Sequence, residues 1–148
     1  MSDLHTEFLA LLAELGGILG NLTGIARKKV EATRQGDLEV LNQCMKEEQV
    51  FTLSLKTLER KRAGMLSQLQ LEQVPLNQLW EHYPQGMKGQ ARETIEDLHT
   101  QYQAYESAAT AARTIMERAL RDIERMMPEN QAPPPGEAPK KRRTEFRA

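Results

Sequence analysis

The 148-residue chain carries a single cysteine, Cys44, which excludes an internal disulfide and a zinc site built on several thiolates. Aromatic residues make up only 5% of it, and Val and Ile together occur nine times against nineteen leucines. Sheets draw on β-branched and aromatic side chains, so this scarcity argues against a β-rich fold and for helices throughout. Proline is missing before Pro75, which leaves the first half without an obligatory helix break. Net charge is also nearly missing: 20 basic against 21 acidic side chains give −1, so whole-molecule charge does not suggest a nucleic-acid binder. Neither a glycine-rich phosphate loop nor a nucleophile elbow occurs.

The start, Met1-Ser2-Asp3-Leu4-His5-Thr6-Glu7, is acidic where a signal peptide needs basic residues, so export by that route is not expected. Residues 8 to 26 are hydrophobic, with Glu14 as their one charge, and a membrane span has to be weighed. Glu14 near its centre would cost about 2.5–3.5 kcal/mol on insertion. Glu7, Glu14, Asn21 and Lys28 also recur every seven residues and form one hydrophilic stripe, opposite Leu4, Phe8, Leu11, Leu15, Ile18, Leu22 and Ile25. This is an amphipathic bundle helix with a narrow wet face.

The sequence predicts an all-α fold: an elongated bundle of three long antiparallel helices with a short connector helix and a Pro-rich basic tail. The first helix covers about 3–34 with the 4,3 spacing of a coiled coil. Gly16, Gly20 and Gly24 within it mark either close approach of a neighbour or a groove for a partner helix. Gly36-Asp37 is a boundary, because glycine suits the residue beyond a helix end and aspartate caps the next one. The second helix runs from about 38 to 70 with a core stripe of Leu41, Cys44, Phe51, Leu55, Leu58, Met65 and Leu69. Glu48 and Arg62 fall in that stripe, at its edge or facing a partner. Val74-Pro75 is expected to end it, and Pro75 to open a short helix at 76–82 whose Trp80 plugs one end of the bundle. The third helix, about 89–127, carries Ala91, Ile95, Leu98, Tyr102, Tyr105, Ala109, Ala112, Met116, Ala119, Ile123 and Met126. One domain thus spans 1–127, and 128–148 is a tail with five prolines and the run Lys140-Lys141-Arg142-Arg143. Such a segment cannot bury enough apolar surface to fold alone.

Site chemistry is sparse. Glu96 and His99 have the E-x-x-H spacing of helical di-iron ligands, but no second copy exists. Cys44 on an apolar stripe reads as a small core residue. No enzyme activity, cofactor, metal or small-molecule substrate is expected.

The segment from Leu11-Leu12-Ala13-Glu14 through Gly36-Asp37-Leu38-Glu39-Val40-Leu41, continuing by Leu58-Glu59-Arg60-Lys61-Arg62 to Met65-Leu66, resembles the FlgN-type flagellar export chaperones in the order and spacing of these elements. The resemblance covers about 130 residues. It implies a cytoplasmic chaperone that holds the C-terminal helices of flagellar hook-associated proteins, prevents their premature assembly, and delivers them to the flagellar export gate. The physical logic is an amphipathic helix laid in an apolar groove. The resemblance also places cargo binding in the C-terminal part and gate docking on an aromatic there. That points to Tyr105, Ile115, Met116, Leu120, Ile123, Met126 and Met127, with Phe146 as the one aromatic after Tyr105. The alternatives are a structural coiled-coil adaptor, monomeric or homodimeric, and a tail-driven module for nucleic acid or a membrane surface.

Overall fold

The computed structural model describes residues 2–126, with side chains from Leu4 onward. Met127 and the expected tail, Phe146 included, lie outside the described residues. Three long helices, α1 (Ser2–Gln35), α2 (Leu38–Leu69) and α3 (Lys88–Met126), account for most of the described chain, and no strand occurs among the described residues. At 1.5 Å per residue they are about 50, 48 and 58 Å long.

The turn between α1 and α2 follows from two residues. Gly36 takes φ +69°, a left-handed conformation that costs a side chain strain. Its amide and that of Asp37 return to the carbonyls of Thr33 and Ala32 at 3.2 and 2.9 Å. The Asp37 carboxylate then accepts from the Val40 amide at 3.1 Å and starts α2. So short a turn makes the two helices antiparallel neighbours.

α2 ends within a residue of the expected 70, but Val74-Pro75 is not what ends it. The helix stops at Leu69, because Gln70 turns left-handed (φ 59°) and the amides of Gln70 and Leu71 close on Ser67 and Leu66. Pro75 acts later, opening a 3-10 rather than an α segment at Leu76–His82. A further 3-10 turn at Gln85–Met87 leads into α3. Trp80 is only half-buried and stacks under Arg92, whose guanidinium lies 5.0 Å from the ring centre. The buried residues of the connector are Leu71, Leu79 and Tyr83.

α1 is the shared wall. Both α2 and α3 pack along it. Gly16 lies against Leu98 and Gln101, while Arg27 and Arg34 line a cleft with Ala104 and Ala111. Both numbers rise together, so α3 runs parallel to α1. Among the described residues, α1 supplies ten of the nineteen buried apolar side chains, and α2 supplies two, Cys44 and Leu58. A helix sandwiched in this way needs more than one apolar stripe. Leu9, Leu12, Leu19 and Ala26 are therefore buried beside the expected Phe8, Leu11, Leu15, Leu22 and Ile25, while Glu7, Glu14, Asn21 and Lys28 are all exposed. α1 is long and apolar enough to cross a membrane, yet just over half of its most apolar window is buried inside the fold. Thr23, the buried polar residue, donates its hydroxyl to the Leu19 carbonyl at 2.8 Å.

The core is concentrated at the end formed by the start of α1, the end of α2, the connector and the start of α3. Phe8, Leu12, Leu15, Leu19, Leu58, Leu79, Tyr83, Ile95 and Leu98 form one cluster there. Each large aliphatic among them contributes about 1.5–3 kcal/mol by burial. His5 caps this end, its ring 4.3 Å from that of Tyr83, and the Tyr83 hydroxyl donates to the His5 carbonyl.

Two stability measurements follow. Gly17 and Gly24 are helical, and an added Cβ meets nothing within 4 Å at either. Gly17→Ala with Gly24→Ala should therefore raise the unfolding free energy by about 0.5–1 kcal/mol for each site, read by urea titration. Burial lowers the His5 pKa below its ordinary 6.5. A base whose folded pKa is depressed leaves the unfolded chain holding more protons, so this residue's contribution is kept above pH 6.5 and lost as pH falls below it. His5→Gln should flatten the slope of stability against pH just below 6.5, read by thermal unfolding of both proteins.

Candidate partner-binding groove

The opposite end of the molecule is built from small side chains. Ala26, Ala32 and Gly36 from α1 and its turn, and Ala109, Ala112 and Ala119 from α3, leave space that leucines fill at the other end. The result is a hollow of about 720 Å³. Its walls are completed by Lys29 and Thr33 on α1, Leu38, Leu41 and Glu48 on α2, and Tyr105, Arg113, Met116, Glu117, Leu120 and Ile123 on α3. The volume falls in the range of binding pockets, and the lining is mainly apolar. It lies between α2 and α3, which each pack on α1 and hardly approach one another along their backbones.

The second half of α3 remains helical with little burial. Beyond Tyr102 its one buried residue is Ala112. Alanine has the best helix propensity, and Arg, Glu, Met and Leu follow it closely, so the composition sustains the helix. Leu120 and Ile123 are therefore more than half exposed, at 56% and 57%, and Met126 reaches 79%. On α2, Leu38 is 71% exposed and Met45 43%. A large exposed apolar surface of this kind marks an interaction site more often than chance.

Of the residues expected on α3, Tyr105, Met116, Leu120 and Ile123 line the hollow. Ile115 is half-buried and is not part of its wall, because a helix turns about 100° between Ile115 and Met116. Met126 stands exposed at the helix end, while Met127 and Phe146 fall outside the described residues. The walls from α1 and α2 were not foreseen as a site. One signal pointed to them: Glu48, a carboxylate in an apolar stripe. It is held by Lys29 at 3.0 Å, a half-buried pair joining α1 and α2 at the edge of the hollow. The Thr33 hydroxyl oxygen, also in this wall, is buried without a hydrogen-bond partner.

Arg62, the other charge in that stripe, lies 2.8 Å from Glu59, and the Tyr102 hydroxyl donates to the second oxygen of the same carboxylate. Burial, and then the bond to Glu59, hold the Tyr102 hydroxyl up at about pKa 12, so it remains a donor at neutral pH.

Other chemistry is thin. Among the described residues no three His, Cys, Asp or Glu side chains converge, and Glu96 pairs with Arg92 at 3.0 Å. A shallower cleft between α1 and α3, about 450 Å³, is edged by Arg27, Glu31 and Arg34 and is less apolar than the hollow. No protein-family model, curated protein or solved structure matches the chain.

Cys44 is buried, and burial with the nearby Glu47 raises its pKa above 9.0. The thiolate is the reactive form. Native protein at pH 7.5 should therefore react with iodoacetamide at least about tenfold more slowly than the same protein in urea. Equal rates would place Cys44 in solvent.

Proposed function

We propose that this protein is a helix-binding chaperone whose hollow receives an amphipathic helix from another protein. The three long helices are read as an up-down-up bundle left open on one side, and the incoming helix completes it as a fourth member. The observation that carries this reading is the apolar hollow between α2 and α3, with Leu120 and Ile123 exposed along its rim. An apolar helix face laid there would cover these leucine and isoleucine side chains and fill space that the chain's own alanines leave open.

The resemblance to the FlgN-type export chaperones narrows the partner to the C-terminal helices of flagellar hook-associated proteins. Those segments are meant to pack into a coiled-coil layer of the flagellum, and a temporary apolar groove would keep them apart until the export gate receives them. Four of the residues that the resemblance points to for cargo, Tyr105, Met116, Leu120 and Ile123, line the hollow, which supports that assignment. Reading α1 as a core helix supports a cytoplasmic location, since its apolar faces have partners inside the fold. The work asked of the groove is binding and release, with no catalytic residue, cofactor or nucleotide.

The alternative of a structural adaptor draws on a different observation. Val50 and Leu53 on α2 are exposed at 62% and 66%, away from the hollow. A permanent homodimer would cover them.

The deciding measurement is titration of the full chain with a synthetic peptide carrying the C-terminal amphipathic helix of a hook-associated protein. Leu120→Asp with Ile123→Asp should weaken binding by at least about 30-fold, the size expected of central apolar contacts. Both side chains are exposed, so helical content should remain unchanged. Undiminished affinity in the folded double variant would place the site elsewhere. A wild-type dimer that Val50→Asp and Leu53→Asp dissociate would favour the adaptor.

A further inference from the structure

We propose that Tyr102, Glu59 and Arg62 form a clasp that sets the spacing between α2 and α3, and with it the width of the hollow. Both oxygens of the Glu59 carboxylate are engaged: one accepts from the Tyr102 hydroxyl and the other faces Arg62 at 2.8 Å. Among the described residues, Tyr102 to Glu59 is the one hydrogen bond that joins α2 directly to α3. All other restraint between these helices passes through α1 or through the side chains of the core.

The position of the clasp gives it leverage. Before Tyr102, α3 is fastened by buried Ala91, Ile95 and Leu98 and by the 3-10 segment Leu76–His82. After it, Ala112 is the only buried residue among those described. α2 has no such freedom near the hollow, because the Gly36-Asp37 turn and the Lys29–Glu48 pair hold it to α1. The movable wall is therefore the second half of α3. From Tyr102 to Met126 it measures about 36 Å, so a tilt of roughly 10° about the clasp carries its end about 6 Å. That displacement is comparable to the difference between a hollow that admits a helix and one that does not, given helix-axis separations of about 8–10 Å.

The test needs no partner, so its outcome and that of the peptide titration are independent. Nitroxide labels are placed at Asn42→Cys on α2 and Arg118→Cys on α3, both exposed positions, in a Cys44→Ala background, and the distance between them is read by pulsed electron resonance on the full chain. The parent should give one narrow distribution. Tyr102→Phe, which removes a single oxygen and keeps the ring, should broaden it and move its mean by about 3–4 Å, because Arg118 lies about 24 Å along α3 from Tyr102 and a tilt of roughly 10° carries it about 4 Å. Glu59→Met, which removes the acceptor at similar volume, should do the same. Arg92→Ala, which breaks an exposed pair on α3 outside the clasp, should leave the distribution unchanged. A parent-like distribution in Tyr102→Phe with helical content intact overturns the clasp. If Tyr102→Phe fails to fold, Glu59→Met decides by the same criterion.

Discussion

Every long-range arrangement in this molecule depends on α1 being packed from two sides. A helix in that position must bury apolar groups over most of its circumference, which leaves a wet face only as wide as the stripe of Glu7, Glu14, Asn21 and Lys28. The same demand makes α1 apolar enough to resemble a membrane span, although its leucines are satisfied by α2, α3 and the connector. α2 and α3 are attached to α1 more than to each other, so the space between them is closed only where large side chains reach across it.

Side-chain size then divides the molecule into two ends. At one, Phe8, Leu12, Leu79, Ile95 and Leu98 fill the space between elements and provide most of the burial. At the other, alanines and a glycine line the same space and leave it open. The open end costs the fold little, because small residues have little burial to forgo and the alanine-rich half of α3 stays helical by propensity. Its exposed Leu120, Ile123 and Met126 gain little from folding.

Charges within apolar stripes turned out to be connections. Glu48 and Arg62 both lie where periodicity expects core residues, and each is paired across or along the helices, Glu48 with Lys29 and Arg62 with Glu59. Half-buried pairs of this kind contribute modestly to stability but restrict geometry, since a displaced partner leaves a charge without compensation. The first lines the open region and holds α2 to α1; the second lies outside its wall and meets α3 through Tyr102.

The local sequence by itself determined the helices and their breaks. Leucine abundance and the rarity of β-branched residues dictate helix, Gly36-Asp37 dictates the first turn, and the seven-residue recurrence from Glu7 to Lys28 dictates which face of α1 meets water. These are properties of a few neighbouring residues, and local spacing reports them. The end of α2 was placed within a residue, but its cause was not legible, because Gln70, not a glycine or proline, takes the left-handed conformation. Of the α3 residues that line the hollow, Tyr105, Met116 and Ile123 stand in the apolar stripe of the sequence, whereas Leu120 entered only through the family resemblance, as did Ile115, which is not in the wall. Only the tertiary structure decided that Met116 faces the hollow, that Lys29, Leu38 and Leu41 join it from elsewhere in the chain, and that Glu48 and Arg62 have partners. Periodicity says which side of a helix is apolar, but what stands opposite that side depends on residues far away in sequence, brought there by the packing of α1 between its neighbours.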